Sequence, residues 1–156
     1  MSKTPVLAPV AGRAVPLSDV PDPVFSAGMV GYGAAVDPPQ EVVEAVAPVS
    51  GKLLKLLPHA YVIMTADNVG VLVHLGLDTV ALNGEGFTTH VTQGDDVTAG
   101  QKVITYDVPA IAAKGLNPIV PVVVMDEREA DNITPSAAGR EGAALAPGDT
   151  RFTAAG

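Results

Sequence analysis

The chain has no cysteine, which excludes disulfides, thiolate nucleophiles and cysteine-ligated zinc sites. A cysteine-free sequence suits a reducing compartment, and the cytoplasm is the expected location. Tryptophan is also missing and aromatics amount to 4%, so aliphatic side chains must fill the core. Basic residues are few: 9 Lys and Arg stand against 17 Asp and Glu, a formal charge of −8. Such a surface repels a phosphate backbone, and no basic stripe interleaved with aromatics occurs, so nucleic acid is not an expected partner. Long apolar runs are absent as well. The stretch Ile119–Met125 is broken by Pro121 and falls far short of the ~20 residues of a membrane-spanning helix. Near the start, Pro9, Gly12 and Pro16 punctuate the apolar residues, which leaves no signal-peptide core. Gly51-Lys52 lacks the upstream glycine and the following Ser or Thr of a phosphate-binding loop, so nucleotide binding has no support.

Turn-forming residues are abundant, with 16 Gly and 14 Pro among 156 residues. That length suits one domain, expected to span 1–156, with a partly frayed Ala- and Gly-rich tail over 136–156. The Met start and short leader suggest a freestanding subunit. Ala8-Pro9-Val10-Ala11-Gly12-Arg13 recurs 39 residues later as Ala47-Pro48-Val49-Ser50-Gly51-Lys52. Two copies are too few for a solenoid and predict two equivalent corners of a pseudo-symmetric sandwich. Segments rich in β-branched or large apolar residues, at 33–36, 41–46, 61–64, 70–75, 103–106 and 120–124, lie between turn signals and predict strands. One helix is predicted: Asp107 as its cap, Pro109 in the first turn, Ala110 to Lys114 as its body and Gly115 as its stop. The fold class is all-β, an antiparallel β-sandwich with short helical turns. Gly94 to Val103 is a two-glycine turn feeding a strand. It resembles the turn of lipoyl- and biotinyl-type barrel–sandwich hybrids, without the lysine those domains modify. Leu145 to Thr150 predicts a turn into a last short strand.

Three histidines are present, His59, His74 and His90. The first two fall in strand-like segments on either side of the turn candidate Thr65-Ala66-Asp67-Asn68-Val69. A turn centred on Ala66-Asp67 would set His59 opposite His74, with Cβ atoms roughly 5 Å apart. One centred on Asp67-Asn68 would make them diagonal neighbours at roughly 7–8 Å. A turn of odd length would put the rings on opposite faces. Paired imidazoles suit phosphoryl transfer: a neutral ring nitrogen is nucleophilic near its free pKa of about 6.5, and a second ring can donate to a phosphoryl oxygen without permanent charge. Gly70 and Gly76 on either side would let a partner approach closely. On spacing alone, two such histidines are more often core or edge residues bonded to backbone. A zinc site needs three or four ligands, and Asp78 and Glu85 are not spaced as a metal signature. His90, in the polar alternation Thr88-Thr89-His90-Val91-Thr92, reads as a surface residue.

The run Val73-His74-Leu75-Gly76-Leu77-Asp78-Thr79-Val80, followed by Leu82-Asn83-Gly84-Glu85-Gly86-Phe87, resembles the phosphorylation-site signature of the glucose-type enzyme IIA family of bacterial sugar phosphotransferase systems. The likeness extends from about Val6 to about Pro135. It takes in Val20-Pro21-Asp22, Val24-Phe25, Met29-Val30-Gly31, both repeat copies, His59-Ala60 and the Gly94–Gly100 turn. It implies a duplicated barrel–sandwich hybrid with a shallow depression exposing both histidines. It further implies that His74 accepts a phosphoryl group at Nε2 from the carrier HPr. His59 would support transfer onward to a cysteine of enzyme IIB, and a backbone carbonyl at or near Gly76 would fix the tautomer of His74. Phe25, Met29, Val80 and Phe87 match an apolar docking rim, and Asp22 and Asp78 match carboxylates that meet a basic residue of HPr. The partners implied are HPr, the membrane-bound enzyme IIB/IIC permease and, through the phosphorylation state, regulatory targets. Work with the permease would bring the protein transiently to the inner face of the membrane. No cofactor is implied.

Two departures stand out. Lys55-Leu56-Leu57-Pro58 reads as a shortened segment lacking the family's usual Thr, and Tyr32 stands where a small or acidic residue is common. A lysostaphin-type zinc peptidase, built on a similar sandwich, would need a His-x-His pair, whereas these histidines are spaced 15 and 16 apart. A regulator that signals through its phosphorylation state is the second alternative, compatible with the carrier role.

Overall fold

The computed structural model describes residues 3–17, 20–21, 31–66, 69–77, 79–82, 84–125, 133–135, 144–145 and 150–155. Strands dominate. The largest sheet runs, in spatial order, β13 (Ala144–Leu145), β2 (Gly12–Pro16), β3 (Gly31–Asp37), β11 (Val120–Met125), β7 (Gly70–His74), β6 (Ala60–Met64), β5 (Gly51–Leu57), β9 (Asp96–Val97). A second sheet joins β4 (Val42–Val46), β10 (Lys102–Asp107) and β8 (Phe87–Thr89). A third joins β1 (Lys3–Leu7), β14 (Thr150–Ala155) and β12 (Ile133–Pro135). Neighbouring strands pair antiparallel throughout. The last strand expected near the C-terminus is β14, laid along β1.

Strand alternation sorts the core into two layers. In β11, Val122 and Val124 enter the main aliphatic core with Ala34, Val36, Val71 and Val73. Val123, between them, points to the other face and packs with Leu17, Val20, Ala35, Leu77 and Ile119. The largest sheet is thus covered on both faces at this point, which explains the uninterrupted apolar run of β11. The smaller cluster pins Leu77, at the start of the loop that follows His74.

The repeated hexapeptides are two corners that hold each other. Leu7 N–H donates to Pro48 O at 2.9 Å and Val46 N–H donates to Pro9 O at 2.7 Å, so each copy gives and receives the same bond. Ala8, Val10, Ala47 and Val49 are all buried. A Cβ on Gly12 would lie 2.3 Å from Asp37 O, and one on Gly51 would lie 2.2 Å from Met64 O; both corners need the backbone approach that only glycine allows. The Gly94–Gly100 turn docks on the second corner through Gly100 N–H to Ala47 O and Ala99 N–H to Ser50 Oγ, both 2.8 Å.

The predicted helix is present as α1 (Val108–Ala113). Asp107 caps it by accepting from Ala110 N–H at 3.2 Å, and Gly115 follows with φ of +79°. Among the described residues no helix is long and apolar enough to cross a membrane.

One expectation is corrected. In the β6–β7 hairpin Ala60 faces His74 and Met64 faces Gly70, a register one residue away from both two-residue-turn alternatives. The cause is a five-residue connection closed by Thr65 N–H to Val69 O at 2.9 Å, with Val69 N–H donating to Thr65 Oγ1 at 3.1 Å. Just ahead of Lys55-Leu56-Leu57-Pro58, β5 carries an extra residue relative to β6: Leu53 pairs with Ile63 and Lys55 with Val62. Leu54 is the bulged residue, 51% exposed.

Candidate functional site

An odd-length connection was expected to separate the histidine rings onto opposite faces. Their centroids are nevertheless 5.1 Å apart, with planes at 71°. His59 escapes the alternation because it is not in a strand. With Pro58 it forms the tight turn between β5 and β6, where Leu57 pairs with Ala60. Its carbonyl still accepts from Leu75 N–H at 2.7 Å, which ties the turn to the end of β7. His74 is the last residue of β7 and half-buried, whereas His59 is only 8% exposed. The two rings therefore meet edge to face at the end of the hairpin remote from its own turn.

His74 Nδ1 lies 2.6 Å from Gly76 O. A carbonyl oxygen can only accept, so the neutral ring carries its proton on Nδ1 and its lone pair on Nε2. Burial, and secondarily the nearby charge of a protonated His74, pulls the pKa of His59 below the ordinary histidine value. Both effects favour the neutral form of His59.

The loop that presents Gly76 O is tightly built. Gly76 has φ of +83°, a conformation that side chains resist. A Cβ there would come 2.7 Å from Thr79 Cγ2 and 3.0 Å from Tyr106 Oη. Gly76 N–H donates to Ile119 O at 3.1 Å and Leu77 N–H to Asn117 O at 2.9 Å. Thr79, fully buried at the start of a short 3-10 helix (Thr79–Leu82), donates its hydroxyl to Leu75 O at 2.8 Å. Gly76 is thus a glycine for reasons internal to the loop, not to admit a partner. Gly70 does not flank the site at all: it is buried at the far end of β7, opposite Met64.

Of the rim positions, Phe87 opens β8, half-buried, its ring stacked on Tyr106 at 5.4 Å and 13°. Val80 falls in the 3-10 helix, and its side chain lies outside the described residues. So do Asp22, Phe25, Met29 and Asp78, and the side chain of Tyr32, whose backbone pairs with Val124 in β3. Glu85 pairs with Lys114 at 3.2 Å. His90 is an exposed residue bonded through Nε2 to Thr105 Oγ1 at 2.5 Å, which in turn donates to Glu44 at 2.7 Å. Among the described residues no three His, Asp or Glu side chains converge as a metal site. Thr79, Tyr106 and Asn117 were not singled out as site residues from the sequence. The available signals were a Thr five residues after the end of β7, a hydroxyl in an apolar strand, and an Asn-Pro turn.

A family model described as "phosphoenolpyruvate-dependent sugar phosphotransferase system, EIIA 1" matches residues 4–130. The chain is 42% identical over 133 residues to the glucose-specific EIIA component of the Oceanobacillus iheyensis phosphotransferase system, covering 82% of this chain and 79% of that one. It is 45% identical over 119 residues to the mannose-specific EIIBCA component of Corynebacterium glutamicum, covering 76% of this chain but 17% of that longer protein. The solved structure of glucose permease IIA from Mycoplasma capricolum superposes with a TM-score of 0.84 at 35% identity, over 98% of this chain and 96% of that one.

Proposed function

Since this chain belongs to the EIIA 1 family of the phosphoenolpyruvate-dependent sugar phosphotransferase system, and so works as a phosphocarrier between HPr and enzyme IIB, we propose that His74 is its phosphoryl acceptor and that Nε2 is the attacking atom. The observation that carries this reading is the Nδ1 contact to Gly76 O beside the ring of His59.

The Nε2 lone pair attacks phosphorus as the N–P bond to the phosphohistidine of HPr breaks, and that bond's electrons return to the carrier's ring. The proton on Nδ1 stays in place, held by Gly76 O, so His74 needs no base. In the onward step a thiolate of enzyme IIB attacks phosphorus and the His74 N–P bond breaks. Both steps spread charge over the equatorial phosphoryl oxygens. His59 sits where an N–H can donate to one of them. Phe87, Val80, Phe25 and Met29 serve as the apolar docking rim, with Asp22 and Asp78 meeting basic partner residues. Relatives named for glucose and for mannose share this module, so sugar choice belongs to the permease.

Incubation with phosphoenolpyruvate, enzyme I and HPr should add one acid-labile, base-stable phosphoryl group. His74→Ala should abolish acceptance. His59→Ala should still accept, while delivery to enzyme IIB falls about 100-fold, the scale of one lost transition-state donor. Normal labelling of the His74→Ala protein would overturn the assignment.

A further inference from the structure

The carbonyl that orients His74 is only as fixed as the segment behind it. Three successive carbonyls, of Asn117, Pro118 and Ile119, face the Gly76 loop and its neighbours. The outer two accept from Leu77 N–H at 2.9 Å and from Gly76 N–H at 3.1 Å. The middle one, Pro118 O, accepts from Tyr106 Oη at 2.9 Å. Proline brings no N–H of its own to this segment, so the tyrosine hydroxyl supplies its central anchor. The same hydroxyl lies against Gly76, 3.0 Å from where a Cβ would be. The ring of Tyr106 is fully buried and clamped by the stack with Phe87; burial also raises its pKa. Its oxygen is thus a neutral donor with little room to move. On the solvent side, Asn117 Oδ1 accepts from Ile119 N–H at 3.0 Å and closes the segment as an Asx turn.

We infer that Tyr106 is a positioning residue for phosphoryl transfer: its hydroxyl holds 117–119 against the Gly76 loop and thereby keeps the His74 proton on Nδ1. The inference rests on His74 being the acceptor, but its structural half does not. Without the hydroxyl, Pro118 O loses its partner, the two flanking bonds loosen, and Gly76 O no longer favours one tautomer as strongly. A fraction of His74 then carries its proton on Nε2, where it cannot attack phosphorus.

The experiment is Tyr106→Phe, which keeps the ring and the stack, read in two ways. Nitrogen-15 NMR of the imidazoles should show the wild-type His74 as the Nδ1–H tautomer and the variant with a measurable Nε2–H fraction, His90 remaining unchanged. The rate of acceptance from phospho-HPr should fall in proportion to the Nε2–H fraction, about twofold where the two tautomers are equally populated. Asn117→Ala, at an exposed position with little risk to folding, loosens the same segment and should shift His74 in the same direction. Unchanged His74 nitrogen shifts in both variants would overturn the inference, whatever the rates. A shifted tautomer with an unchanged rate would overturn its catalytic half. Wild-type protein that accepts no phosphoryl group on His74 would defeat the functional reading instead, and the nitrogen shifts would still decide whether Tyr106 holds the tautomer.

Discussion

At the residue scale, two side chains of one type are given different work by their surroundings. His74 is half-buried and oriented through Nδ1; His59 is nearly covered, and desolvation followed by the charge of His74 lowers its pKa. A histidine whose folded-state pKa is depressed stabilises the fold fully above its unfolded value of about 6.5. That contribution is lost as pH falls from there toward the folded-state pKa, because only the unfolded chain readily takes up the proton. NMR titration should place the His59 midpoint below 6.5. Urea melts of His59→Asn should show a flatter loss of stability than wild type between pH 7 and pH 5. The proposed phosphorylation of His74 would set a dianion beside His59 and should raise its midpoint; a midpoint that stays put in the phosphorylated protein would argue that the rings do not face each other in solution. Gly76→Ala forces a side chain into a positive φ and onto Thr79 and Tyr106. It should cost more than about 1–2 kcal/mol in chemical denaturation and also slow acceptance, since the displaced carbonyl is the one that orients His74.

At the scale of elements, what could be read from the sequence was what local chemistry determines. The helix was legible to within a residue because each signal acts on its own neighbours: Asp107 bonds Ala110, Pro109 needs no donor partner, and Gly115 takes a positive φ. Asp107→Ala should therefore lower stability by about 1 kcal/mol, seen as a small drop in melting temperature with phosphoryl acceptance intact. The β6–β7 register was not legible. It depends on whether Thr65 bonds Val69 or a nearer residue, and Ala66, Asp67 and Asn68 offer turn chemistry to several alternatives. The histidine site was legible in composition but not in geometry. His59 was read as a strand residue, whereas Pro58-His59 is the turn itself, and the turn rotates the ring toward His74. Tyr106 was unreadable as a site residue because its partner, Pro118 O, is supplied by a loop across the core and not by its own strand.

At the scale of the molecule, the duplicated hexapeptide is a structural joint. Reciprocal bonds from Leu7 to Pro48 and from Val46 to Pro9 lock the two halves around a common aliphatic core. Gly12→Ala and Gly51→Ala should accordingly destabilise by similar amounts, each by more than about 2 kcal/mol, because each drives a methyl into a facing carbonyl. Strongly unequal losses in denaturant melts would argue against equivalent corners. The joint carries the hairpin that carries the histidines, and the proposed carrier role asks one thing of that frame, a phosphoryl group held on His74 Nε2 beside His59. The most direct measurement is phosphorus–nitrogen coupling in protein labelled with nitrogen-15 and phosphorylated through HPr. One N–P bond is expected, at Nε2 of His74, with both nitrogens of His59 and His90 free of phosphorus. Phosphorus on Nδ1 of His74, or on either of the other two histidines, would contradict it.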